Sequence, residues 1–120
     1  MNLLEDFHSF FSIPVLHARN LLHDPTVRLI DIRTPYERTD TGIIPGSLLL
    51  DFSNPTFEHA IKKLDPNYHY LLICRSASRT KLARQLMRDQ GLIANDIAGG
   101  IIKRPDPLSP YPSSTCNKQP

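Results

Sequence analysis

The segment with the clearest chemical potential is a cysteine followed closely by two arginines. Cys74 ends an apolar run, and Arg75 and Arg79 follow within five positions. Neighbouring guanidinium groups favour the nucleophilic thiolate and bind anions through forked hydrogen bonds. Small hydroxyl residues lie in the same stretch: Ser76, Ser78 and Thr80. The pattern predicts nucleophilic catalysis at Cys74 on an anionic substrate, and the alternative is an inert buried cysteine.

A buried strand is expected to deliver Cys74 to the edge of a sheet. Three continuous apolar runs predict strands that are buried on both faces of a parallel sheet. The runs cover residues 27–32, 48–50 and 70–73, with a loop expected between the first two. Ligands bind at the carboxyl edge of such sheets, and a helix expected to begin near Arg79 would favour an anion there.

Apolar residues at helical spacing predict three helices around these strands. Asn54 and Pro55 predict the N-cap and first residue of the second helix, and Gly91 is expected to end the third in the left-handed conformation. A short strand is expected around residues 96–98. The predicted apolar stripes are Val15, Leu16, Ala18, Leu21 and Leu22, then Phe57, Ala60, Ile61 and Leu64, then Leu82, Ala83, Leu86 and Met87. The alternation predicts an α/β domain.

The composition predicts one small domain with a distinct tail. The chain has 120 residues, and we expect residues 1–104 to fold as a domain. Residues 105–120 hold five prolines and three serines, so we expect this tail to be extended or disordered. The first 14 residues are interrupted by Glu5 and Asp6, which makes them a poor signal peptide. No apolar run suits a membrane span, and a cytoplasmic protein is expected.

The remaining composition argues against several function classes. A formal net charge of +2 gives no case for nucleic acid as a partner. The two cysteines, Cys74 and Cys116, form no disulfide framework, and the histidines show no metal-ligand spacing. The sequence therefore predicts neither a metal nor another cofactor.

Four segments in the same order resemble the motifs of rhodaneses. Residues 74–80, Cys-Arg-Ser-Ala-Ser-Arg-Thr, resemble the active-site loop, commonly C-R-S-G-x-R-S. Residues 29–37 resemble the D-V-R-x-x-x-E segment, and residues 42–47 resemble the G-H-I-P-G-A turn. Residues 99–101 resemble a Gly-Gly-Ile near the end of the domain. The similarity runs from about residue 13 to residue 104.

The resemblance implies a three-layer α/β/α rhodanese-like domain with a parallel sheet of about five strands. It also implies a sulfurtransferase of the thiosulfate sulfurtransferase type. Cys74 would take a sulfane sulfur from thiosulfate or a persulfide and pass it to a thiol or cyanide. The implied partners are a small sulfur donor and a thiol acceptor, with a protein sulfur carrier as a further candidate; the oligomeric state is not predicted.

The resemblance also implies roles for residues around Cys74. Asp31, Arg33 and Glu37 would be framework residues, forming an ion-pair and hydrogen-bond cluster near the site. The loop around the persulfide would be formed by Arg75, Ser76, Ala77, Ser78, Arg79 and Thr80.

Three positions depart from the family pattern. Ile43 stands where the family usually has histidine, and Arg104 stands where many members carry tryptophan. Ala77 replaces the usual loop glycine, at a cost of about 1 kcal/mol if that position needs a positive φ. The departures bear on loop rigidity and donor choice, and leave the nucleophile and Arg79 in place.

Two other functions compete with sulfur transfer. A non-catalytic rhodanese-like module would bind a partner protein without using Cys74. A related phosphatase or arsenate reductase would share the fold, but those phosphatases place five residues between cysteine and arginine. Here only four residues separate Cys74 from Arg79. The shorter loop favours a terminal sulfur over a tetrahedral phosphate.

Two further features have both a simple and a functional interpretation. Lys81, Arg84 and Arg88 recur along the helix after the loop. A solvated helix face is the simpler interpretation, and a docking surface for an acidic sulfur carrier is the functional one. Cys116 is interpreted as an inert thiol in the tail, the alternative being a sulfur-receiving or resolving cysteine.

Overall fold

Five parallel strands form one sheet in the order β1-β5-β4-β2-β3. The computed structural model describes residues 12–75, 79–101 and 108. The strands are β1 (Ser12–Ile13), β2 (Val27–Asp31), β3 (Leu48–Leu49), β4 (His69–Ile73) and β5 (Ile93–Ile97). The helices are α1 (Val15–Leu21), α2 (Pro35–Thr41), α3 (Phe57–Ile61) and α4 (Thr80–Asp89). The predicted α/β fold with a five-stranded parallel sheet is confirmed.

Apolar side chains cover both faces of the sheet. Leu71 and Leu72 are consecutive residues of β4, so they point to opposite faces, and neither is exposed to solvent. Leu72 belongs to a cluster with residues of α3 and α4, whereas Leu71 packs with residues of α1. Because both faces are covered, the strands are continuous apolar runs, and the domain has three layers.

The last strand in the chain was located less accurately by the sequence. β5 begins at Ile93, three residues before the expected start, and pairs with β4 from Ile93 to Asp96. The C-terminus of α4 matches expectation: Gly91 has φ 84°, and the amide of Leu92 donates to the carbonyl of Met87. This is the hydrogen bond that closes a left-handed helix end.

The start of α3 was wrongly predicted. Asn54 does not cap the helix; its side-chain oxygen accepts from the amide of Thr56 at 2.9 Å and forms a local turn. The helix begins only at Phe57, and Leu64 lies beyond its end. The side chain of Asn54 competed successfully with helix formation for the backbone, as short polar side chains do.

Two leucines assigned to buried helix stripes are exposed. Leu16 in α1 and Leu82 in α4 are 60% and 64% exposed. Leu16 lies two residues before the buried Ala18, and Leu82 lies one residue before the buried Ala83. Each residue turns a helix by about 100°, so these neighbours fall outside a narrow buried face.

The N-terminal segment, the loop residues 76–78 and almost all of the tail lie outside the described residues. The predictions that concern Ser76, Ala77, Ser78, Arg104 and Cys116 therefore stay predictions, as does the division at residue 104. Among the residues described, no helix is long and apolar enough to cross a membrane.

The central strand gives a direct test of this packing. We expect Leu72→Ala to lower the free energy of unfolding by about 2–5 kcal/mol, because it leaves a cavity under α3 and α4. The matched control is Leu82→Ala, which removes the same atoms from an exposed position. Urea denaturation of both variants measures the difference, and equal losses would contradict the packing described.

Candidate active site

Cys74 lies immediately after β4, at the carboxyl edge of the sheet. The register pairs Ile73 with Asp31 of β2, and the amide of Ile32 donates to the carbonyl of Ile73 at 3.0 Å. The ends of β2 and β4 are thereby held side by side. Cys74 has no exposed surface and packs with the cluster under α3 and α4.

The backbone of Cys74 is also fixed from the turn after β5. The amide of Ile101 donates to the carbonyl of Cys74 at 2.9 Å. Gly100 lies against the same segment with φ 63°, and a Cβ atom there would be 2.5 Å from the Cys74 carbonyl oxygen and 2.7 Å from that of Arg75. A glycine is needed at this position because any side chain would displace the backbone that carries the cysteine.

Arg79, at the other end of the loop, forms a two-pronged ion pair with Glu37 of α2. Its Nη1 and Nη2 atoms donate to Oε1 and Oε2 of Glu37 at 2.6 and 2.8 Å. This hydrogen bonding lowers the pKa of Glu37 to about 2. Glu37 is itself oriented by Thr34, whose amide and hydroxyl both donate to Oε1. Such fork-to-fork pairs fix direction as well as distance.

Arg79 also interacts with the Cys74 side chain. The pKa of Arg79 is raised, first by its hydrogen bond to Glu37 and further by the charge of Cys74 and a hydrogen bond to it. The guanidinium thus interacts with both the Glu37 carboxylate and the Cys74 side chain.

Asp31 and Arg33 form a second ion pair beside the site. Nη2 of Arg33 lies 2.9 Å from Oδ2 of Asp31, and neither side chain is more than 1% exposed. The remaining donors of Arg33 reach the Thr41 hydroxyl and the Gly42 carbonyl, both at 2.7 Å. The pair connects the end of β2 to the end of α2, and its buried charges are well hydrogen-bonded.

The other loop residues have different surroundings. Arg75 is exposed, whereas Thr80 is fully buried at the start of α4. The structure thus brings together Cys74, Arg79 and Glu37, with Asp31 and Arg33 alongside. Serines 76 and 78 and Ala77 are not among the described residues.

A cleft of about 300 Å³ opens between α2 and the segments that flank Cys74. One wall is formed by residues of α2 and the other by Arg75 and Ile101. Arg33, which follows β2, also lines the cleft. The α2 residues that line it are Tyr36, Glu37, Asp40 and Thr41. Since the amide of Ile101 donates to the carbonyl of Cys74, the cleft adjoins the segment that carries this cysteine.

Helix α2 was missed by the sequence analysis, and with it Tyr36, Asp40 and Thr41. The available signal was a capping box: Thr34 accepts from the amide of Glu37, and the Glu37 side chain accepts from the amide of Thr34. Pro35 at the first helical position is a second signal. Both were hidden because these residues were assigned to a family motif and a loop.

The basic stripe on α4 is not simply a solvated face. Arg84 forms an ion pair with Asp96 of β5, which is only 1% exposed. Nε of Arg88 donates to the Ala94 carbonyl at 2.8 Å. Two of the three cations therefore attach α4 to β5, and Lys81 alone is exposed. The simpler interpretation is wrong for Arg84 and Arg88, because buried acceptors on β5 lie within their reach.

The sequence profile of the rhodanese-like domain matches residues 16–102. No curated protein sequence matches the chain. A rhodanese-like domain protein from Staphylococcus aureus superposes with a TM-score of 0.75 at 23% identity, covering 86% of this chain and 100% of that one. A rhodanese-related protein from Thermoplasma volcanium gives a TM-score of 0.70 at 24% identity, with coverage of 83% and 100%.

A human structure is similar to the same part of the chain. It is the single-domain sulfurtransferase TSTD1, with a TM-score of 0.66 at 25% identity over 78% of this chain and 94% of that one. The profile match and these structures confirm the resemblance and the fold that the sequence motifs predicted.

The Glu37–Arg79 pair predicts an acid-sensitive contribution to stability. The pKa of Glu37 falls from 4.5 to about 2 on folding, so its contribution is complete above pH 4.5 and is lost as the pH falls through 2. We expect Glu37→Gln to lower the urea midpoint at pH 7 and to converge with the wild type near pH 2. Glu58→Gln, at an exposed site, is the matched control. A constant difference at all pH values would contradict the prediction.

The close approach at Gly100 predicts a strong local effect of a single methyl group. Gly100→Ala places a Cβ atom 2.5 Å from the Cys74 carbonyl oxygen, so the backbone must move. We expect a loss of about 1–3 kcal/mol in the free energy of unfolding and slower alkylation or sulfuration of Cys74. Gly46→Ala is the control, since φ is also positive there but no atom lies within 4 Å. Equal effects of the two changes would show that φ alone matters.

Proposed function

This chain belongs to the rhodanese-like domain family, and we propose that it is a sulfurtransferase in which Cys74 carries a sulfane sulfur as a persulfide. The observation that carries the proposal is the placement of Cys74 at the carboxyl edge of the sheet, with Arg79 fixed by its two-pronged pair to Glu37 and interacting with the cysteine side chain. A cysteine that served only packing would need no cation at its sulfur. The similarity to human TSTD1, a sulfurtransferase by name, supports the same activity.

The proposed reaction has two displacement steps. The Cys74 thiolate attacks the outer sulfur of thiosulfate, the sulfur–sulfur bond of the donor breaks, and sulfite leaves with the bonding electron pair. Cys74 then carries a persulfide. An acceptor thiolate attacks its outer sulfur, the bond to Cys74 breaks, and the Cys74 thiolate is restored. The total oxidation state is conserved, so no cofactor enters the balance.

The residues around the cysteine have separate tasks in this scheme. Arg79 stabilises negative charge on the sulfur, and Glu37 keeps the guanidinium in place by its two-pronged bond. Arg75, which is exposed, is available to an anionic donor. The hydrogen bond from Ile101 fixes the carbonyl of Cys74, so the nucleophile starts from a defined backbone position.

Mass spectrometry of the intact protein tests the proposal directly. After incubation with thiosulfate we expect a gain of one sulfur atom, about 32 Da, which cyanide or a thiol removes. Cys74→Ser is expected to show no gain, whereas Glu58→Gln behaves as the wild type. The Cys74→Ser change keeps nearly the same volume, so its fold is expected to persist and can be checked by circular dichroism.

A persulfide donor replaces thiosulfate if the first donor gives no adduct. A mass gain with either donor that survives in Cys74→Ser would locate the chemistry elsewhere. No gain with both donors would overturn the enzyme and favour the non-catalytic module, in which the cysteine serves packing alone.

A further inference from the structure

The size and charges of the cleft next to the Cys74 segment limit the kind of acceptor that it can bind. Its volume of about 300 Å³ is at the lower end of small-molecule sites. A cleft of that size, open on one side to solvent, admits a small thiol. Its lining combines charged side chains, the ring of Tyr36 and the apolar side chain of Ile101.

The charges that line the cleft divide into paired and available ones. Arg33 is bound to Asp31, and Glu37 is bound to Arg79. Asp40 and Arg75 line the same cleft and are exposed, and neither forms an ion pair with another residue that the structure describes. The cleft therefore presents one negative and one positive group to a ligand.

Tyr36 adds a third feature. It is 81% exposed, the highest value among the large hydrophobic residues described, and it lies one turn before Asp40 on the same face of α2. An exposed aromatic ring beside a carboxylate attracts ammonium groups, because the negative face of the ring adds to the negative charge of the acid.

We propose that this cleft is the acceptor site for a small thiol that carries both an ammonium and a carboxylate group, that is, an amino-acid thiol. Asp40 and Tyr36 bind the ammonium group, and Arg75 binds the carboxylate. The inference rests on the proposed function, since it assigns the second substrate of the same site. The acceptor loses its thiol proton to solvent, its sulfur bonds to the outer sulfur of the persulfide, and Cys74 leaves as the thiolate.

Four thiols distinguish the contribution of the ammonium group from that of the carboxylate group. Cysteine carries both, cysteamine only the ammonium, 3-mercaptopropionate only the carboxylate, and 2-mercaptoethanol neither. The Cys74 persulfide is formed first and isolated, and its discharge by each thiol is followed in a single turnover. Each rate is divided by the 2-mercaptoethanol rate of the same protein, and variants are compared with the wild type. Differences in intrinsic thiol reactivity then cancel.

We expect Asp40→Asn to lower the relative rates of cysteine and cysteamine by about threefold to fivefold, the size of an exposed ion pair. The relative rate of 3-mercaptopropionate should rise. Arg75→Gln should do the reverse, lowering the relative rates of 3-mercaptopropionate and cysteine. Salt at about 1 M should reduce all of these differences. Glu58→Gln removes an exposed carboxylate far from the cleft residues in sequence and should leave every ratio unchanged.

The outcomes distinguish the inference from the function on which it rests. A persulfide that forms and discharges with the same relative rates in Asp40→Asn as in the wild type overturns the acceptor site alone. A persulfide that never forms overturns the proposed function and the acceptor site together. Relative rates that change equally for all three charged thiols would indicate a general disturbance of α2 and would also contradict the assignment.

Discussion

The ion pair between Glu37 and Arg79 is the constraint on which the site depends. It joins residues 42 positions apart, one on the crossover after β2 and the other on the crossover after β4. The two parallel hydrogen bonds fix the orientation of the guanidinium plane, and the amide of Thr34 donates to the same carboxylate. In the position that this pair defines, Arg79 also interacts with the Cys74 side chain. The position of the guanidinium beside Cys74 is therefore set by polar contacts between two separate segments.

Helix α2 also depends on polar contacts for its position. Its only buried residue is Arg38, and its aromatic residue Tyr36 faces solvent. Hydrophobic burial therefore does not hold it in place. The capping box, the pair to Arg79 and the hydrogen bond between Arg33 and Thr41 do so instead. A short helix held in this way responds to charge and pH more strongly than one held by a core.

The difference between elements held by hydrophobic burial and a helix held by polar contacts explains what the sequence could predict. The strands were visible because both faces of the sheet are covered, which made β4 a continuous apolar run ending at Cys74. Gly91 predicted the end of α4 because only a left-handed residue fits there. Helix α2 carries no apolar period, so the cleft residues Tyr36 and Asp40 could not be found from periodicity. The roles of Arg84 and Arg88 depend on acceptors in β5, whose spatial position the sequence does not contain.

The ion pair between Glu37 and Arg79 also changes the role expected for the two arginines that flank the loop. The sequence suggested that two arginines would bind an anionic donor together, but both prongs of Arg79 are engaged by Glu37. A planar guanidinium that already faces a carboxylate and a sulfur has little capacity left for a donor. In the proposed reaction the tasks are therefore divided: Arg79 interacts with the sulfur, and Arg75, which is exposed and lines the cleft, is left for the donor. Because one guanidinium cannot do both, the proposed reaction assigns the selection of small anions and thiols to the single exposed positive charge of Arg75, opposed by Asp40.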